Sequence, residues 1–388
     1  MDIKAIQSAL SERGIDAWLF YDHHHRDPIA YNILGLSPDL HVTRRWYYCI
    51  PASGEPAKVV HRIEAGHLDT LLGEKKAYST WQEMHEQLKA MLAQYKNIAM
   101  QYSPNNAIPI IGLVDAGTIE LLRSFGKNIV SSGDLVSRFE AAWSEEQIAS
   151  HFDARDAIDR IMAETFQEIG RLCTHGGTNE YVVQRFIDEA FSRENLINDS
   201  PAIVGVNANA ANPHYAPSSE VHAPINKGDF VLLDMWAKKK TPSAVYYDIT
   251  WTGVVGTPTD RHKEIFNIVK SARDAGFQKV KSAVDARKKI CGWEVDEVTR
   301  KSIADAGFAA YFTHRTGHSI GVEVHSSGAN MDNMETKDER EIIPNTCFSI
   351  EPGIYLPEFG VRSEFDVLVR NGSAEITGRI QQELVIIE

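Results

Sequence analysis

The stretch RTGHSIGVEVH, Arg315 to His325, admits two readings, and they lead to different folds. Gly317-His318-Ser319-Ile320-Gly321 has the G-x-S-x-G form of the nucleophile elbow of serine hydrolases. The same residues set two histidines, His318 and His325, among glycines. An elbow needs an apolar strand before it, a helix after it, and a chain order of Ser, acid, His. Here "THRT" precedes and the polar, glycine-broken "VHSSGANMDNMETKDE" follows. The only histidine after Ser319 is His325, too close to be an independently placed base. The elbow reading fails, and Ser319 reads as a small filler beside a histidine that matters.

His314 and His318 stand four apart, as zinc-binding helical pairs do. Thr316 and Gly317 between them, and no H-E-x-x-H glutamate, speak against a helix. Glycines here suit a backbone that must approach a site closely. What His318 could serve emerges from four acids. Asp234 follows "FVLL", Asp248 lies in "VYYDITW", Glu351 follows "CFSI", and Glu364 stands in "FGVRSEFD". Each pair suits two adjacent antiparallel strands presenting one carboxylate apiece. Carboxylates in such apolar runs are costly without a counter-charge, and four converging could not all stay ionised. Two divalent cations, with His318 as a neutral fifth ligand, would balance them.

The order of elements around these acids repeats. Ser144-Glu145-Glu146-Gln147 has capping-box form and starts a helix whose apolar face carries Ile158, Ile161, Phe166, Ile169 and Leu172. Gly176-Gly177 ends it, a second helix is expected over roughly 178–194, and strand-like runs follow at 229–236 and 244–253. Helices near 260–286 and 293–306 then precede strand-like runs at 346–353 and 365–370. The first of these buries Ile265, Ile268, Val269 and Ala272 on one face. Residues 1–142 read differently, as an α/β domain. "IDAWLFYD" (15–22) is a strand, and "WYYCIPASGEPAKVV" (46–60) is a hairpin around Ala52–Glu55. It has no phosphate loop or dinucleotide fingerprint.

Bulk composition narrows the partners. A net charge of −13 without a basic cluster excludes nucleic acid and anionic membrane as expected partners. Cys49, Cys173, Cys291 and Cys347 are scattered with no C-x-x-C, which suits buried thiols in a reducing compartment. The charged, amphipathic start "MDIKAIQSALSERG" lacks a signal-peptide core, so a cytoplasmic protein is expected. His23-His24-His25 reads as a polar loop, since neighbouring side chains diverge. Arg44-Arg45-Trp46 reads either as a contact to a substrate carboxylate at the cleft, of this or a partner subunit, or as a solvated turn with one packed tryptophan.

With these residues in hand, "HRTGHSIGVEVH" resembles the H-G-T-G-H-G-I-G…H segment of the pita-bread metallopeptidases. "SIEPGIYLPEFGVRSE" is similar to their E-P-G-x-Y…G-V-R-I-E. The resemblance implies an α+β fold over residues 143–388, with two similar αα-ββ halves around a curved antiparallel sheet. Residues 1–142 resemble the N-terminal creatinase-like domain of aminopeptidase P and prolidase, which methionine aminopeptidases lack. By resemblance, Asp234, Asp248, His318, Glu351 and Glu364 match two-metal ligands. His214 matches the histidine that steadies the tetrahedral intermediate, His325 the one contacting the substrate carbonyl, and Glu351 also the proton shuttle. His314, Tyr355 and Arg362 match residues that support the ligands or bind substrate. The implied activity is hydrolysis of the N-terminal bond of short peptides, of Xaa-Pro aminopeptidase or Xaa-Pro dipeptidase type, by a homodimer. The donor set suits Mn²⁺, with Co²⁺, Fe²⁺ or Zn²⁺ able to take its place.

Departures from the pattern fall outside the ligands. "AKKKTPSA" lengthens the connection between Asp234 and Asp248, Arg315 and Ser319 replace frequent glycines, and Ser326 stands where an acid is common. Two rival readings share the fold: a metal-free creatinase-like C–N hydrolase, and a catalytically inactive binding protein. Retention of all five ligand positions argues against both.

Overall fold

A computed structural model describes residues 1–388, which divide into two compact units, Met1–Glu140 and Ala141–Glu388. In the first, six strands form one mixed sheet. Its order is Glu74–Tyr78, Ala57–His61, Trp46–Pro51, Ala17–Asp22, Asn97–Met100 and Asn128–Ser131. Every residue of Ala17–Asp22 and of Trp46–Pro51 is buried, which is why these strands read as continuous apolar runs. Helices Ile3–Glu12 and Pro28–Leu34 cover one face over Trp18, Phe20, Trp46 and Tyr48. Helices Trp81–Met91 and Ala116–Ser124 cover the other over Leu19, Tyr47, Cys49 and Ile98. The hairpin forms where the turn residues require it, with Tyr47 opposite Val59 and Gly54 at a φ of 96°.

The second unit opens with a 30-residue helix, Glu145–Thr174. Its cap is reciprocal. The Gln147 N–H donates to Ser144 Oγ at 3.2 Å, and the Ser144 N–H donates to Gln147 Oε1 at 2.9 Å. Ile158, Ile161, Phe166 and Ile169 on this helix pack with Val183 and Phe191 of helix Glu180–Arg193 against Val231, Leu233 and Ile249. Each such side chain, moved out of water, stabilises by roughly 1.5–3 kcal/mol. The order then recurs. Helices Asp260–Asp285 and Gly292–Asp305 pack beneath strands Thr346–Ile350 and Phe365–Arg370.

Strand Phe230–Lys239 pairs antiparallel with both Tyr247–Val255 and Ile203–Val206. Thr346–Ile350 pairs antiparallel with Phe365–Arg370, which pairs with Ser373–Ile376. The expected curved sheet is divided into one sheet in each half, and the pairings are antiparallel except at one edge. Val385–Ile387 returns from the second half and lies parallel to Tyr247–Val255. Gly253 permits this, because a Cβ there would stand 2.9 Å from the Val385 carbonyl oxygen. The two halves meet through the Glu364 N–H, which donates to the Thr250 carbonyl at 3.2 Å. This meeting line is where the acids lie.

Candidate metal centre and active site

Strand register explains the first pair of carboxylates. Asp234 is opposite Thr250 and Trp236 is opposite Asp248, so Asp234 and Asp248 are diagonal neighbours on one face. In the second half Ile350 is opposite Phe365, which sets Glu351 and Glu364 at the adjoining ends of one antiparallel pair. Ligand atoms of Asp248, His318 and Glu364 all lie within 4.8 Å of one another. His318 Nε2 stands 3.5 Å from Asp248 Oδ2 and 3.3 Å from Glu351 Oε1. All five residues expected as ligands are thus drawn to one place, largely out of solvent.

The cluster is electrostatically incomplete. Asp234 Oδ1, Asp248 Oδ1 and Glu364 Oε1 are buried and accept no hydrogen bond. Burial first, then neighbouring carboxylates, pushes Asp248 and Glu364 far above the usual carboxylate range. Burial also pushes Glu351 up, and it pushes His318 down towards the neutral imidazole that can donate a lone pair. A cationic partner is present in Arg362, whose Nη2 donates to Asp234 Oδ2. Orphaned oxygens, raised acids and a neutral imidazole make a donor set that fits divalent cations.

Several residues that hold the centre were not picked out in the sequence. Thr250 Oγ1 donates to Glu364 Oε2 at 2.6 Å and accepts from Arg362 Nε at 3.0 Å. Ser349 Oγ donates to Glu351 Oε1 and accepts the His318 N–H, both at 3.0 Å. Asp366, fully buried, accepts the Asp248 N–H at 3.0 Å and is a fifth acid beside the quartet. Two further buried acids sit early in the second helix of each half and grip the loops that carry the histidines. Glu180 accepts from the Val206 N–H at 2.8 Å and the Ala223 N–H at 2.6 Å, across the segment bearing His214. Asp296 accepts from Thr316 Oγ1 at 2.6 Å and from the Asn333 N–H at 3.0 Å, across the segment bearing His318. Only their place on apolar helix faces could have marked them.

The other expected residues distribute as follows. His325 is exposed, its ring edge-on to that of His318 with centroids 4.3 Å apart. The His318 ring, then desolvation, lowers its pKa, and His214 is near enough to contribute. His214 itself is exposed. His314 has both nitrogens engaged, Nδ1 with the Arg315 carbonyl at 2.7 Å and Nε2 with the Tyr355 hydroxyl at 2.6 Å. The Tyr355 hydroxyl also accepts from Arg362 Nη1 at 3.1 Å. Arg362 and Tyr355 are therefore packed beneath the carboxylates, with their polar atoms committed to protein partners.

Ser319 is no nucleophile. Its Oγ is buried without a partner, against Gly328, where a Cβ would come within 2.4 Å of it. At Gly317 a Cβ would fall 1.9 Å from the Ser349 carbonyl oxygen, so this glycine lets the His318 segment lie against the strand. A second buried group, His151, Cys347 and Asp366, has metal-like spacing. Both His151 nitrogens are already engaged, with the Tyr246 carbonyl at 2.7 Å and Thr377 Oγ1 at 2.8 Å. That group is packing.

Two helix-helix-strand-strand halves closing on a buried acid cluster define a metalloenzyme of pita-bread fold. The profile of metallopeptidase family M24 matches residues 152–371, and the chain belongs to that family; it is a metallo-exopeptidase. The Xaa-Pro dipeptidase of Lactobacillus delbrueckii subsp. lactis is 30% identical over 304 residues, covering 76% of this chain and 74% of its own. The Xaa-Pro dipeptidase of Pyrococcus horikoshii is 28% identical over 310 residues, covering 77% of this chain and 82% of its own. Among solved structures, dipeptidase PepE from Mycobacterium ulcerans superposes with a TM-score of 0.71 at 23% identity, over 99% of this chain and 96% of that one. The prolidase from Pyrococcus horikoshii gives 0.64 at 24% identity, over 99% of each chain. The family is metal-dependent. No helix is long and apolar enough to cross a membrane.

Proposed function

We propose that the chain is a two-metal exopeptidase that hydrolyses the N-terminal bond of short peptides with proline second. The carrying observation is the charge balance of the buried cluster. Asp234, Asp248, Glu351, Glu364 and Asp366 are five acids, and Arg362 neutralises one. With all five ionised, as bound cations would favour, four negative charges remain, which two divalent cations would match. Asp234, Asp248, His318, Glu351 and Glu364 would hold the ions, and their oxygen-rich set favours Mn²⁺. Bound there, such ions supply Lewis-acid polarisation and an acidified water.

The chain's own residues do the rest. His325 and His214, exposed beside the cluster, donate N–H groups to the carbonyl oxygen as charge develops, a role worth about 2.7–4 kcal/mol per donor in a comparable oxyanion hole. Glu351, raised by burial, accepts the proton of the attacking water and passes it to the leaving nitrogen. Arg362, Thr250 and Tyr355 hold the acids in place.

Relatives named Xaa-Pro dipeptidase support a preference for Xaa-Pro dipeptides. The reading extends to a cytoplasmic homodimer acting on peptides rather than on nucleic acid or membrane. It also takes residues 1–142 as the smaller, creatinase-like domain of this branch. The test is metal content per chain by mass spectrometry, with Mn²⁺-dependent cleavage of Xaa-Pro dipeptides set against longer peptides. Two ions per chain with cleavage are expected. Full metal occupancy without cleavage of either class would defeat the proposal in favour of a binding protein.

A further inference from the structure

In the N-terminal unit, Asp22 pairs with Trp46, so the segments His23–His25 and Thr43–Arg45 leave the same end of the sheet. Between them is an open recess of about 500 Å³ whose wall includes His23, His24, Arg44, Arg45, His61 and Trp81. No carboxylate lines it. A smaller recess of about 320 Å³ shares His23 and Arg45 and adds Arg26. Its one acid, Asp115, is turned to the N–H and hydroxyl of Thr118 at 2.9 and 2.8 Å.

The nearby acids hold the two segments and form no ion pair with Arg44 or Arg45. Glu64 accepts the Thr43 N–H at 2.9 Å and the Arg44 N–H at 3.0 Å. Asp22 accepts the N–H groups of His25 at 3.1 Å and Arg26 at 2.7 Å. Both segments are thereby held, while the Arg44 guanidinium reaches only Thr43, at 3.0 and 3.2 Å. The Tyr78 hydroxyl donates to the Arg45 carbonyl at 2.8 Å and fixes that backbone too. In a chain of net charge −13, two guanidiniums and three imidazoles share one concavity whose wall carries no carboxylate. Such a surface focuses anions.

The donor geometry selects among anions. Guanidinium forks match phosphate oxygens in pairs, and two permanent charges match a dianion better than a single carboxylate. The cavity is of small-molecule size, since such sites span about 300–1,000 Å³. At its rim Trp81 is 60% exposed and offers a face to a planar ring. We propose that this recess binds the phosphate group of a small molecule, at a site sharing no residue with the metal centre.

The test is calorimetric titration of the full Mn²⁺-loaded chain with inorganic phosphate and with a nucleoside monophosphate, using acetate and an Xaa-Pro dipeptide as carboxylate controls. Saturable phosphate binding is expected, weakened at least tenfold by the double variant Arg44→Gln/Arg45→Gln. The charge-retaining Arg44→Lys/Arg45→Lys should keep most of it, and serves if the first variant folds poorly. Tighter binding of the nucleoside monophosphate, lost in Trp81→Ala, would identify a phosphorylated metabolite as the ligand. Equal affinities would identify free phosphate. Binding that persists in the Gln double variant would place phosphate elsewhere and overturn the proposal. So would carboxylate controls that bind as tightly as phosphate, or no saturable binding at all.

Discussion

The Glu180 carboxylate accepts the hydroxyl hydrogen of Tyr215 at 2.7 Å, and Tyr215 is the residue next to His214. Through this bond and those to Val206, Asn209 and Ala223, one fully buried acid at a helix start sets the path of the segment that presents His214. Glu180→Gln replaces an acceptor by a donor and leaves a buried N–H unmatched, a loss of about 1–3 kcal/mol. Because the damage falls on the His214 segment, kcat on an Xaa-Pro dipeptide should drop while metal content stays at the wild-type value. An unchanged kcat in a folded variant would remove Glu180 from this role.

Neutralising one acid of the cluster should have opposite effects with and without metal. Glu364 is buried, and burial followed by Asp248 and Glu351 raises its pKa. In chelator-treated protein, Glu364→Gln relieves that repulsion, so its Tm should exceed the wild-type value. In excess Mn²⁺ the order should reverse, because bound metal at about 100 times its Kd adds about 2.7 kcal/mol to the wild type alone. Scanning fluorimetry in the two buffers reads both signs.

Thr250→Val keeps the shape but removes the hydroxyl that links Glu364 to Arg362. Residues that orient ligands in this way typically contribute about 10–100-fold in metal affinity. A Mn²⁺ titration should show that loss, with the circular dichroism spectrum unchanged.

At Gly317 the contact is backbone to backbone. A methyl group 1.9 Å from the Ser349 carbonyl cannot be relieved by a rotamer change. Gly317→Ala should cost at least about 1–3 kcal/mol and displace His318, lowering metal stoichiometry with stability. A variant binding two ions at wild-type Tm would contradict this packing.

His151 gives a pH dependence of definite sign. Burial pushes its pKa down to about 4 from an ordinary 6.5, so it is neutral when folded and charges when unfolded. Its contribution is fully present above about pH 6.5 and is lost as pH falls towards 4, about 3 kcal/mol in total. Urea unfolding of metal-free protein between pH 4 and 7 should show that slope, and His151→Gln should flatten it. The difference between the two proteins isolates His151 from the acid cluster.

Much of the fold was legible because local chemistry dictated it. The Ser144–Gln147 cap, the turn at Gly54 and the helical stripe from Ile158 to Ile169 each follow from short-range rules, and the helices stand where those rules place them. The acids of the cluster were legible for a different reason. Asp234 and Asp248 interrupt apolar strands, and an interruption so costly stands out in one dimension. Asp366 and Glu180 escaped notice because acids near strand and helix starts usually face water. Their burial depends on chain segments far away in sequence.

The sequence by itself determined which residue types would need compensation, because the cost of burying charge belongs to the residue and its immediate neighbours. It determined the element order and the failure of Ser319 as a nucleophile on the same footing. Only the tertiary structure decided who compensates whom. Thr250 reaches Glu364 across 114 residues, Arg362 reaches Asp234 across 128, and Val385 lies beside Gly253. Such partnerships are set by strand register and close packing between the two halves, and no local pattern encodes them.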